Sequence, residues 1–149
     1  MSISDEFDLE NFLPYLLNQA AEEASLSFQQ VYKARYGMLR AEWRVLFHLG
    51  RYGRLTAKEI CQRSKMHKTK ISRAVAKLEA RRFLARERGG DDRRLEYLEL
   101  TGPGQRAYRD LQAVAHRYDA DLTAAFKPDE VALLRDMLRR LAVGGQGHK

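Results

Sequence analysis

Residues 67–82 read HKTKISRAVAKLEARR, and this stretch decides the fold. At 100° per residue Ile71, Val75 and Leu78 share one apolar stripe with Ala74 beside it, while Thr69, Ser72, Arg73, Ala76 and Lys77 take the opposite side. Lys70 and Arg81 extend the basic edge. Short hydroxylic and methyl side chains stand among the cations, so this face can approach a partner closely. A helix that docks by an apolar stripe and presents short polar and cationic groups fits the DNA major groove. A solvated amphipathic surface helix has the same period, so the neighbouring segments must decide.

Working outward, charge is the first discriminator. From Arg51 to Arg94 there are 15 Lys and Arg against 5 acids, a net of +10, whereas the whole chain of 149 residues is +7. Residues 1–30 hold six carboxylates and no Lys or Arg. Basicity concentrated around one helix is the footprint of a polyanion-binding surface, not a general solubility device. The length suits one domain, and 44% hydrophobic residues suffice for a core.

Immediately before the basic helix, TAKEICQR (residues 56–63) has Thr56 and Glu59 in capping-box spacing, with Ile60 and Cys61 facing inward. The turn Ser64-Lys65-Met66 joins the two segments, which makes a helix-turn-helix signature. After Arg82 the period shortens to two in residues 83–88 and 95–100, around the turn-rich tip Gly89-Gly90-Asp91-Asp92-Arg93-Arg94. This predicts a β-hairpin wing over residues 83–100. Thr101-Gly102-Pro103-Gly104 is read as the strand exit.

Further out, residues 8–36 carry a long 3–4 stripe from Leu9 through Phe28 to Val31, with Pro14 near the start. Ala41–Tyr52 forms a second helix, stopped by Gly53. A helix to about Phe126 follows the wing, and Pro128-Asp129-Glu130 opens a last one with Val131, Leu134, Leu138 and Leu141 in its stripe. The tail VGGQGHK is predicted to fray. The fold class is therefore mainly α with a small β-hairpin wing. A winged helix-turn-helix core spans about residues 41–101, with its recognition helix at 67–82. Helices at about 8–36 and 102–141 flank it and are too apolar to remain uncovered, which predicts a homodimer.

The ordered set Trp43-Arg44-Val45-Leu46, Lys68 to Val75, Leu78 to Leu84, Asp92-Arg93-Arg94 and Leu98-Glu99-Leu100-Thr101 resembles the MarR family of bacterial transcriptional regulators, over about Asp8 to Leu141. The resemblance implies a sequence-specific double-stranded-DNA-binding homodimer, usually a repressor of a palindromic operator, released by a small phenolic or similar ligand. It places Thr69, Ser72, Arg73 and Lys77 on bases and phosphates, and Lys68 and Lys70 mainly on phosphates. Arg93 or Arg94 would enter the adjacent minor groove, with Asp92 holding one of them in shape. It also implies an effector pocket where the first, second and fifth helices meet, with Tyr15, Gln19, Tyr36, Trp43 and His48 as candidates. Two positions depart from the pattern. Lys65 stands where the family commonly has glycine, and His67 stands where a Ser, Thr or Asp N-cap is usual and is read as a phosphate contact.

Other chemistry finds little support. His48, His67, His116 and His148 share no metal-ligand spacing, no Gly-rich phosphate loop is present, and no nucleophile–base set appears, so neither enzyme, cofactor nor metal is expected. The single cysteine, Cys61, excludes an internal disulfide and reads as a small core residue rather than a redox sensor. The acidic N-terminus and the lack of a long apolar run point to the cytoplasm and, on DNA, to the bacterial nucleoid. The rival readings are a nucleoid-type non-specific DNA-binding protein and a winged-helix protein-interaction module.

Overall fold

A computed structural model describes residues 6–89 and 94–144. A 3₁₀ turn at Leu9–Asn11, capped by the Asp8 carboxylate, precedes helix α1 at Leu13–Tyr36. Pro14 lies in the first turn of α1, where its missing N–H costs nothing, and Gly37 ends the helix in the left-handed region at φ 63°. The remaining elements are α2 (Arg40–Tyr52), β1 (Leu55–Thr56), α3 (Ala57–Ser64), α4 (Lys68–Ala80), β2 (Leu84–Arg88), β3 (Glu96–Leu100), α5 (Gly102–Thr123) and α6 (Pro128–Gly144).

The apolar stripe predicted for α4 is buried, as is Ile60 of α3, whereas Cys61, read as an inward-facing core residue, is only half-buried. Val45, Leu46 and Leu49 of α2, Ile60 of α3, and Ile71, Ala74, Val75 and Leu78 of α4 are buried together with Leu84, Leu98 and Leu111. Fully burying one such aliphatic side chain is worth about 1.5–3 kcal/mol, so this three-helix centre fixes α4 rigidly. Thr56 caps α3 as expected. Its hydroxyl accepts from the Glu59 N–H at 3.1 Å, and the Glu59 carboxylate accepts from the Thr56 N–H at 2.8 Å.

The wing is larger than the hairpin read from the pattern. Its sheet has the order β1-β3-β2, all antiparallel, with Leu55 opposite Leu98 and Leu84 opposite Leu100. β1 escapes sequence reading because two residues have no period. Gly102-Pro103-Gly104 is also corrected: it is the first turn of α5, not a strand exit. The Thr101 hydroxyl accepts from the Gly104 N–H at 3.1 Å and donates to the Arg82 carbonyl at 2.6 Å, so threonine caps the helix while proline occupies its first turn. α5 closes at Thr123 instead of Phe126, and α6 takes in Val143 and Gly144 from the expected tail; residues 145–149 lie outside the described residues.

The chain divides into two compact units, Met1–Val114 and Ala115–Lys149. In the first, the 3₁₀ turn and the start of α1 leave Leu9, Phe12, Leu13 and Leu16 exposed. In the second, α6 leaves Leu133, Leu134, Met137, Leu138 and Leu141 exposed, while Arg135 pairs with Asp119. No helix among the described residues is long and apolar enough to cross a membrane.

Candidate nucleic-acid interface

The interface is built on α4, whose docking stripe is 2% exposed or less at Ile71, Ala74, Val75 and Leu78. With that side fixed, Lys68, Thr69, Lys70, Ser72, Arg73, Ala76 and Lys77 all face outward. Two ridges result. Thr69, Ser72 and Ala76 form the short-side-chain ridge, and Lys70, Arg73 and Lys77 form a cationic ridge on the flank that turns towards α2. In a major groove, short hydroxylic and methyl groups let the helix approach the base edges closely, while Arg and Lys can reach either guanine edges or phosphates, so the two ridges supply close approach and charge side by side.

The entry to α4 resolves both departures from the family pattern. Lys65 ends α3 at φ 59°, with its N–H bonded to the Cys61 carbonyl at 2.9 Å. The backbone therefore keeps the left-handed turn that glycine adopts freely, and a lysine carries it at a cost of about 1 kcal/mol. His67 is itself the N-cap of α4: its Nδ1 accepts from the Thr69 N–H at 3.1 Å. That bond requires an unprotonated Nδ1 and puts any ring proton on Nε2, where it is available for donation. The imidazole thus does the work of the missing Ser or Asp, a role the sequence reading did not give it.

The wing stands beside this helix. Arg86 of β2 is held by Glu79 at 2.8 Å and Glu96 at 2.9 Å, which ties strand, hairpin and the end of α4 together and favours the charged guanidinium. The Gly89 N–H donates to the Leu95 carbonyl at 2.8 Å near the tip. Arg94 is exposed, whereas the tip residues Gly90, Asp91, Asp92 and Arg93 lie outside the described residues.

The effector candidates are not brought together. Tyr15 and Tyr36 sit on one continuous helix, 21 positions and so about 32 Å apart at ~1.5 Å per residue. Gln19 is exposed near the first of them. Trp43 belongs to an aromatic cluster, edge-on to Phe28 at 5.4 Å and to Phe47 at 5.0 Å. Burial in that cluster pushes the Tyr32 hydroxyl above its ordinary range. His48 donates from Nδ1 to the Arg44 carbonyl at 2.6 Å. Tyr36 donates to Asp110 at 2.7 Å, and burial, then that bond, raise its hydroxyl to about 12.

Cys61 is half-buried rather than part of the core, because the fully buried position on that side of α3 is taken by Ile60. Among the described residues no group of three His, Cys, Asp or Glu could hold a metal ion.

The fold and sequence have clear relatives. The family model described as MarR family matches residues 36–95, the span from the end of α1 through the wing. The HTH-type transcriptional regulator FarR of Neisseria gonorrhoeae is 25% identical over 127 residues, covering 85% of this chain and 86% of its own. The crystal structure of a MarR family transcriptional regulator from Silicibacter pomeroyi DSS-3 is 28% identical, with a TM-score of 0.79 over 92% of this chain and 97% of its own. A Cys-to-Ser mutant of MarR from E. coli, complexed with operator DNA, is 20% identical, with a TM-score of 0.77 over 87% of this chain and 92% of its own. The helix-turn-helix, its capped recognition helix and most of the wing thus lie within residues 36–95, the segment that the MarR family model matches, on a fold shared with solved MarR family transcriptional regulators.

Proposed function

We propose that this regulator is a homodimer that inserts α4 of each copy into successive major grooves of a palindromic operator, with a wing arginine, Arg93 or Arg94, in the flanking minor groove. On this reading it represses transcription and works in the cytoplasm. One observation carries it: α4 is immobilised by four buried residues while Thr69, Ser72 and Ala76 form a close-approach ridge edged by Lys70 and Arg73. A non-specific binder would need only the cations. The exposed apolar stripes on α1 and on α6 supply surface for the second copy, and the flanking segments 8–36 and 102–141 act as dimerisation helices around the core. Two-fold symmetry sets the two reading helices about 34–36 Å apart, one turn of B-DNA.

Release by a small aromatic ligand completes the proposal. Its candidate contacts are Tyr36, Trp43 and His48, with Tyr15 and Gln19 towards the other end of α1. The test is selection of genomic fragments by purified protein at roughly 150 mM salt, followed by alignment of the retained sequences. An inverted repeat with half-sites one helical turn apart is expected. Retention without any motif would replace operator recognition with architectural DNA binding. No retention would move the basic face to an acidic protein partner.

A further inference from the structure

A cleft of about 610 Å³ opens between the cationic ridge of α4 and the N-terminal turn of α2. Lys70, Arg73 and Lys77 line one wall, Arg40 and Arg44 the other, and Lys65 with His67 closes the end. Among the described residues the one carboxylate lining it is Glu42, only 3% exposed. Glu42 is already committed: one oxygen accepts from the Leu39 N–H at 3.3 Å, and the other faces the Lys77 ammonium at 3.7 Å. Arg40 is drawn to Glu22 at 3.0 Å. No carboxylate among the described residues pairs with Arg44, Lys70 or Arg73, although all three face the same space.

Cations gathered around one cleft repel each other, and α2 adds the positive end of its dipole there. Such an arrangement is stabilised by an anion. The cleft lies on the flank of α4 and not on the ridge of Thr69, Ser72 and Ala76. A helix lying in a major groove has a phosphate strand along each flank. We infer that this cleft is a backbone clamp, in which Arg44 of α2 closes with Lys70 and Arg73 of α4 on a phosphodiester of duplex DNA. Glu42 acts as a positioning residue: it holds Lys77 and the start of α2 so that the two walls keep their separation. The inference rests on the DNA-binding reading and assigns to α2 a contact that the recognition helix does not make.

The experiment is a salt titration of binding to a fluorescein-labelled operator duplex and to a scrambled duplex, using full-length wild type, Arg44→Ala, Arg44→Lys and Lys70→Ala. Losing one phosphate contact flattens the slope of log affinity against log salt by about 0.9. The expected result is that flattening in Arg44→Ala and in Lys70→Ala, with affinity falling by the same factor on both duplexes and largely restored in Arg44→Lys. Wild-type slope and affinity in both alanine variants would overturn the clamp while leaving DNA binding intact. Failure of the wild type to bind either duplex would overturn both readings. A parallel titration with inorganic phosphate distinguishes the source of the anion: saturation at micromolar phosphate with unchanged DNA slopes would make the cleft a small-anion site and overturn the backbone assignment. Lys70 is exposed, so its variant remains informative if Arg44→Ala folds poorly.

Discussion

The hydroxyl of Tyr36, in the last turn of α1, donates to the carboxylate of Asp110 on α5 across 2.7 Å. Arg35 reaches the same carboxylate at 2.8 Å, the Tyr36 ring stands edge-on to Phe83 at the root of the wing, and the Tyr36 carbonyl accepts from Arg81 just beyond α4. One residue therefore joins the first helix, the fifth helix and the reading head.

Tyr36→Phe is expected to lower stability by about 1 kcal/mol, the net worth of one hydrogen bond. The alkaline limb gives a sharper signature. Burial and Asp110 raise the Tyr36 hydroxyl from 10.0 to about 12, so the folded state prefers the protonated phenol. Its contribution is complete below pH 10 and is lost as pH climbs to about 12. Urea midpoints at pH 8 and at intervals through that window should show a steeper alkaline fall in wild type than in Tyr36→Phe. Parallel curves would remove the linkage.

Gly104→Ala is expected to be severely destabilising. A Cβ at this position would stand 1.9 Å from the Phe83 carbonyl oxygen, which is backbone and cannot rotate away. The α5 start would have to shift from the wing, at a cost of about 3 kcal/mol. Chemical denaturation reads this directly, and a loss below ~1 kcal/mol would mean that α5 is free to move there.

Lys65→Gly should stabilise the fold by up to about 0.5 kcal/mol, the left-handed penalty of about 1 kcal/mol relieved less the extra chain entropy of glycine. The measurement is a thermal melt against wild type. A lower midpoint would show that the lysine side chain contributes more than its backbone strain costs.

Leu138→Glu places a charge in the exposed apolar stripe of α6. If that stripe is covered by a second copy, the variant should sediment as a monomer where wild type sediments as a dimer. Unchanged sedimentation would locate the interface elsewhere.

Sequence reading succeeds where one local rule governs the outcome. The period of Ile71, Ala74, Val75 and Leu78 sets which side of α4 is buried, and the Thr56–Glu59 spacing sets where α3 begins; both hold in the structure. It fails where the deciding partner is distant in the chain. Leu55 becomes a strand residue only because Leu98 lies beside it. Gly102-Pro103-Gly104 carries three helix-breaking signals, yet threonine capping, proline in a first turn and a glycine pressed on Phe83 make them a helix start. His67 was legible as an odd N-cap but not as a working one, since its Nδ1 bond depends on rotamer. Arg44 was legible only as part of the Trp43–Leu46 motif and not as an anion contact, because the cleft exists only once α2 lies against α4.

β1 is only two residues long, yet Thr56 is at once a rung opposite Tyr97 and the cap of α3. The hairpin cannot peel from its neighbour without also exposing the first amides of that helix. Wing and helix-turn-helix should therefore open as one cooperative unit, and amides of β3 and the start of α3 should exchange with deuterium at matching rates instead of in two separate classes.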